Sequence, residues 1–150
     1  MYRTCAFTGH RNLKNTNFDA TLLDRTIGHL IKNGTDTFLC GMAMGFDLES
    51  AQSVIMHKKN YDVKLIACIP CANQTERFSA GARKLYERVL SGCDEVITLS
   101  DFYYPGCMHE RDRYMVDNSD LIVSFLRKEK GGTFYTVNYA RRQNKKIIEL

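Results

Sequence analysis

Short apolar runs alternate along this chain with longer segments whose apolar residues recur every three or four positions. The runs at 2–7, 37–40, 63–69, 95–99, 121–125 and 146–148 are short, apolar and bounded by polar or glycine-bearing segments, and they predict strands. The segments 18–32, 47–59, 75–90, 108–118 and 133–143 predict helices. In the first of these Leu22, Leu23, Ile27, Leu30 and Ile31 recur at helical spacing, and Asn33-Gly34 ends it with glycine in the left-handed cap position. In the third, Phe78, Ala82, Leu85, Val89 and Leu90 make the inward stripe. Strict strand–helix alternation predicts an α/β, Rossmann-like domain: a mostly parallel sheet of about six strands with helices on both faces. The run Leu121-Ile122-Val123 is apolar at every position, as a strand buried on both sides requires. Pro70 and Pro105 both fall between elements, and no linker or repeat interrupts the pattern, so residues 1–150 read as a single domain.

In such a sheet ligands bind beyond the carboxyl ends of the strands, where strand order reverses. The polar residues concentrate in the loops that lie there. Two of these loops carry glycine between a strand and a helix: Gly41-Met42-Ala43-Met44-Gly45-Phe46-Asp47 and Gly131-Gly132-Thr133. Glycine lets a ligand approach main-chain N–H groups, and a helix start aims its unpaired N–H groups and positive dipole end at the same spot. The pair predicts a pocket for a phosphate-bearing ligand. Its candidate binding residues are Thr8, Gly9, Arg11, Gly41, Gly45, Asp47, Arg113, Gly131, Gly132 and Thr133. Arg11 and Arg113 can fork onto phosphate. Asp47 either accepts ribose hydroxyl protons or serves as a cap or first-turn acid of its helix. Tyr103, Tyr104, Arg111 and Arg113 follow the fourth strand, which this reading sets beside the first, so that a tyrosine there can stack on a base. The alternative is local packing, with an Arg–Asp network through Asp112 and Asp117.

Other chemistries find less support. The first glycine loop is not GxGxxG and no Walker lysine follows it, which disfavours dinucleotide oxidoreduction and P-loop hydrolysis. Cys68-Ile69-Pro70-Cys71 has redox spacing, but Cys68 falls within a strand and the next helix starts too far on to activate Cys71. No second pair completes a zinc site, and no metal is expected. His57 and His109 are isolated and read as surface residues. No Ser-His-Asp order or carboxylate pair stands out, so no catalytic residue is named.

Composition is that of an ordinary globular chain, with 44% hydrophobic and 25% charged residues. No apolar run approaches the ~20 residues of a membrane span, and the N-terminal run is too short for a signal peptide. The expectation is a cytoplasmic protein whose six cysteines stay reduced. Residues 1–110 balance 12 basic against 12 acidic residues, so the whole net charge of +4 lies in 111–150. That excess reads as solvated helix ends rather than a nucleic-acid surface, and nucleic acid is disfavoured as a partner.

Taken in order, these motifs resemble those of YpsA-like proteins of the SLOG superfamily, the group that includes the Lonely Guy proteins and DNA-processing protein A. The residues that carry the resemblance are Cys5-Ala6-Phe7-Thr8-Gly9-His10-Arg11, residues 41–47, Ile69-Pro70-Cys71 with Gln74, Gly106-Cys107-Met108, residues 111–117 with Ser119-Asp120, and Gly131-Gly132-Thr133 with Thr136 and Tyr139-Ala140. The resemblance implies a Rossmann-like domain with a nucleotide-type ligand site, and some such proteins are associated with bacterial cell division. The related Lonely Guy phosphoribohydrolases resemble PGGxGTxxE at the second loop, and Thr136 stands where that glutamate would fall. Threonine is neither a base nor a negative charge at neutral pH. The expected function is therefore a binding or sensing module, with stress signalling as another context, for a nucleotide or ADP-ribose-like compound. It needs no cofactor, and association into a homo-oligomer stays open. The alternative is a hydrolase that cleaves an N-glycosidic bond of a nucleotide.

Overall fold

In the computed structural model, which describes residues 2–150, strands and helices alternate throughout. They are β1 (Thr4–Gly9), α1 (Ala20–Lys32), β2 (Thr37–Cys40), α2 (Phe46–His57), β3 (Lys64–Ile69), α3 (Ala80–Ser91), β4 (Glu95–Thr98), α4 (Cys107–Asp117), β5 (Leu121–Phe125), α5 (Gly132–Arg142) and β6 (Lys146–Glu149). The sheet runs β4-β3-β2-β1-β5-β6, and all its pairings are parallel. The predicted α/β, Rossmann-like architecture is the one observed. Among the described residues no helix is long and apolar enough to cross a membrane.

Side chains alternate across a strand, so each central strand feeds two cores. Phe7, Phe38, Leu65 and Val123 belong to the larger core, which includes Leu23, Val54 and Val89 from α1, α2 and α3. Ala6, Leu39, Cys68 and Ile122 point the other way, to Met115 and Val116 of α4 and Ala140 of α5. At the centre of the larger core Phe46 is fully buried. It stacks on Phe125 at 5.8 Å and meets Phe7 and Phe18 edge-on at 6.4 and 6.1 Å. This aromatic nest lies directly beneath the carboxyl ends of β1 and β5 and fixes the start of α2 against them.

Three expectations need correction. The fourth strand does not lie beside the first. The connection through α4 carries the chain past β1 to its far side, so β5 takes that place and β4 is left at the sheet edge. The expected strand 2–7 is displaced to Thr4–Gly9, because Thr8 and Gly9 pair with Ser124 and Phe125. The expected helix 75–90 is two pieces. A 3₁₀ turn at Gln74–Arg77 ends in extended Phe78 and Ser79, and the Ser79 hydroxyl then caps α3 by accepting from the Ala82 N–H at 3.2 Å. At α1 the cap is as expected, with Gly34 at φ 107°.

Candidate functional site

Strand order reverses between β1 and β5, and a cavity of about 450 Å³ opens there. The end of β1 supplies Thr8, Gly9, His10 and Arg11, and the loop into α2 supplies Ala43 and Asp47. From α4 come Met108, His109, Arg111 and Asp112, and from the loop into α5 come Lys128, Lys130, Gly131, Gly132 and Thr133.

The helices around this cavity start without side-chain caps, and at α2 and α4 a backbone carbonyl takes the first N–H, that of Phe46 going to His10 and that of Cys107 to Tyr104, at 3.1 and 3.0 Å. Glycines at the N-cap of α2, α4 and α5 make no side-chain cap bond. The two helices away from it are capped by side chains, α1 by Asp19 and α3 by Ser79. At α5 the geometry favours an anion. Gly131 has φ 91°, and a β-carbon added at Gly131 or Gly132 would meet nothing within 4 Å. The first-turn N–H groups and dipole of α5 are therefore bare beside Lys128, Lys130 and Arg11.

The glycines of the other two loops have a packing role. A β-carbon on Gly9 would lie 2.3 Å from the Phe46 ring. One on Gly41 would lie 2.7 Å from Arg111 Nη1 and 3.0 Å from Asp47 Oδ2, and one on Gly45, at φ 78°, would strike the Arg11 carbonyl. The loop between them is held from several sides. Gln74 Nε2 donates to the carbonyls of Gly41 and Met42 at 3.2 and 2.7 Å, and Arg111 Nη1 donates to Gly41 at 2.5 Å. These bonds hold Met42, fully buried, at a left-handed φ of 61°, a conformation that persists only where surroundings over-determine it.

Arg111 is the electrostatic hub. It is buried, its Nε pairs with Asp112 Oδ1 at 2.7 Å, and Asp112 and Asp47 favour its charge against the burial that opposes it. Burial pushes the Asp47 carboxyl up to about 6, against the pull of Arg111 and the N–H of Ala43, which donates to Oδ2 at 3.3 Å. Even so raised, the carboxyl is mostly ionised at pH 7 and accepts hydrogen bonds there. His10 accepts the Arg127 N–H at Nε2 over 2.7 Å. Burial, then the charges of Lys128 and Arg127, lowers its pKa and keeps it in that accepting form.

Of the candidates read from sequence, Thr8, Gly9, Arg11, Asp47, Gly131, Gly132 and Thr133 line the cavity together. Gly41 and Gly45 sit behind its wall. Arg113 does not line it, and donates instead from Nη1 to the Tyr135 hydroxyl at 2.7 Å. Tyr103 is exposed outside the cavity, and Tyr104 bonds Glu110. Thr136 is buried and donates to the carbonyl of Gly132 at 2.9 Å, within its own helix. His57 pairs with Asp24 at 3.1 Å, away from the site. Burial pushes the Cys68 thiol up to about 12 and also raises Cys71, the reverse of an activated redox pair. Lys128 and Lys130 were not among the candidates, and His109, read as an isolated surface residue, is exposed as expected yet lines the cavity. The two lysines stand immediately before Gly131-Gly132, a signal that was available; His109 needed the path of α4.

The family model of YpsA, described as the YspA SLOG family, matches residues 6–149. The chain belongs to this family. Among curated relatives, the uncharacterized SPbeta prophage-derived protein YoqJ of Bacillus subtilis is 29% identical over 126 residues, covering 75% of this chain and 74% of YoqJ. UPF0398 protein BH1768 of Halalkalibacterium halodurans is 27% identical over 118 residues, covering 76% of this chain and 62% of that protein. The fold is similar to that of DNA processing protein A from Helicobacter pylori, whose structure was described for its single-stranded DNA binding mode. That match has a TM-score of 0.73 and 18% identity, covering 98% of this chain and 64% of the other.

Proposed function

We propose that this domain binds or senses a nucleotide-derived ligand, a nucleotide or an ADP-ribose-like compound, in the cavity between β1 and β5. The observation that carries the reading is the open start of α5 at Gly131-Gly132, facing the same cavity as Lys128, Lys130 and Arg11 on one side and the buried Asp47 on the other. Phosphate belongs at the first group. Asp47 and Asp112 suit the hydroxyls of a ribose. The buried Thr136, bonded to its own helix, supports binding over N-glycosidic hydrolysis.

A thermal-shift panel of nucleotides, dinucleotides and sugar phosphates tests the reading. A ligand at 100 times its Kd adds about 2.7 kcal/mol, a rise of roughly 5–11 °C for a domain of this size. No shift at millimolar concentrations of any of them refutes it. Single-stranded DNA is the second reading, favoured by the lysines at the cavity rim and by the DNA bound by the structurally similar Helicobacter pylori protein. A short oligodeoxynucleotide in the same panel separates the two. Binding that needs several linked nucleotides, and falls steeply with salt, supports DNA.

A further inference from the structure

An aromatic stack ends at one wall of the cavity. His109 of α4 is exposed and lines it, and its ring lies flat on Tyr135 of α5, with centroids 3.9 Å apart and planes 11° from parallel. The stack continues to Tyr139, whose ring lies 6.5 Å from that of Tyr135 and again 11° from parallel. Polar anchors hold both tyrosines. The Tyr135 hydroxyl accepts from Arg113 Nη1 at 2.7 Å, and the Tyr139 hydroxyl donates to Asp117 Oδ1 at 2.8 Å. Tyr135 covers one face of the imidazole, and among the described residues no second ring packs on the other; Met108, its chain neighbour, lines the cavity with it.

We infer that this free face of His109 is the platform on which the base of the ligand stacks. The inference rests on the nucleotide reading above and adds to it the subsite that distinguishes a nucleotide from a sugar phosphate. Every base has a π face, and a stack on an aromatic side chain contributes about 1–3 kcal/mol. A ring already ordered by Tyr135 loses little further freedom when a base arrives. The position also fits. Tyr135 lies in the first turn of α5, the turn that begins at Gly132 and Thr133, so the ring it carries and the open helix start belong to one end of the same helix. His109, the helix start at Gly132 and Thr133, and Asp47 all line the one cavity, as a base, a phosphate and a ribose of one ligand require. Phe102 and Tyr103 are more exposed than His109 needs to be for this role, but they lie outside the cavity.

Isothermal titration with AMP and with ribose 5-phosphate, on the wild-type chain, His109→Ala and His109→Phe, tests the assignment. Wild type should bind AMP at least about fivefold more tightly than ribose 5-phosphate, the low end of a base stack. His109→Ala should lose that preference and keep its affinity for ribose 5-phosphate, and His109→Phe should retain the preference. His109→Phe keeps the stack on Tyr135 and should melt with wild type, and His109→Ala, which loses a stack of about 0.5–1.5 kcal/mol, should melt at most about 6 °C lower. If His109→Ala still prefers AMP by the wild-type ratio, or wild type binds both probes equally, the platform is refuted and the nucleotide site stands. If wild type binds no member of the wider panel, the nucleotide site itself is refuted and the platform goes with it.

Discussion

One added methyl group at Gly9 tests how the first loop is held. Its β-carbon would stand 2.3, 2.4 and 2.5 Å from Cγ, Cδ2 and Cβ of Phe46, far inside van der Waals contact. Phe46 cannot yield easily, because it is fully buried between Phe125, Phe7 and Phe18. Overpacking of this kind costs about 1–3 kcal/mol. Gly9 does not lie at positive φ, so alanine fits the backbone and recovers about 0.4–1 kcal/mol by restricting the unfolded chain. The steric term wins, leaving Gly9→Ala about 1–2 kcal/mol less stable and melting roughly 2–8 °C lower. Gly132→Ala is the control, since its β-carbon meets nothing within 4 Å, and it should stay within about 0.5 kcal/mol of wild type. Urea denaturation followed by circular dichroism measures both. A Gly9→Ala midpoint at or above that of wild type would show that the aromatic nest gives way, and the reasoning about the first loop would fail.

Gly132→Val should fold as wild type yet weaken AMP binding at least tenfold, because its side chain would occupy the open space at the start of α5; unchanged affinity by titration would make that loop structural only. Arg111→Ala should cost about 3–5 kcal/mol of stability in urea, since it leaves the Asp112 carboxylate and the Gly41 carbonyl without their buried partner. A loss under 1 kcal/mol would remove Arg111 as the hub. The pH dependence follows from Asp47. Its carboxyl sits near 6 in the folded protein and returns to about 3.8 when unfolded, so between these values the folded state binds the extra proton. Its contribution therefore favours the fold at low pH and is lost as pH rises from about 4 to 6. Asp47→Asn should remove that slope from urea midpoints taken at pH 4, 5 and 6, and an unaltered slope would refute the burial argument.

Element type and order were legible in the sequence because both depend on neighbours close along the chain. Three- and four-residue spacing marks a helix, and a short uninterrupted apolar run marks a buried strand. Most of the pocket followed, since in this architecture every strand-to-helix loop ends on one side of the sheet. Thr8, Gly9, Arg11, Asp47 and residues 131–133 meet there as expected. Strand order was not legible. Nothing local tells α4 to pass β1 before the chain re-enters the sheet, and that one crossover moved β4 to the edge, turned Arg113 toward Tyr135 and brought His109 to the cavity wall. The glycines divide along the same line. In sequence all of them permit close approach. In space Gly9 and Gly41 are filled by Phe46 and Arg111, residues 37 and 70 positions away, while Gly131 and Gly132 face open space. A glycine's freedom is a property of one residue, but what enters the room it leaves depends on which distant side chain the fold places there.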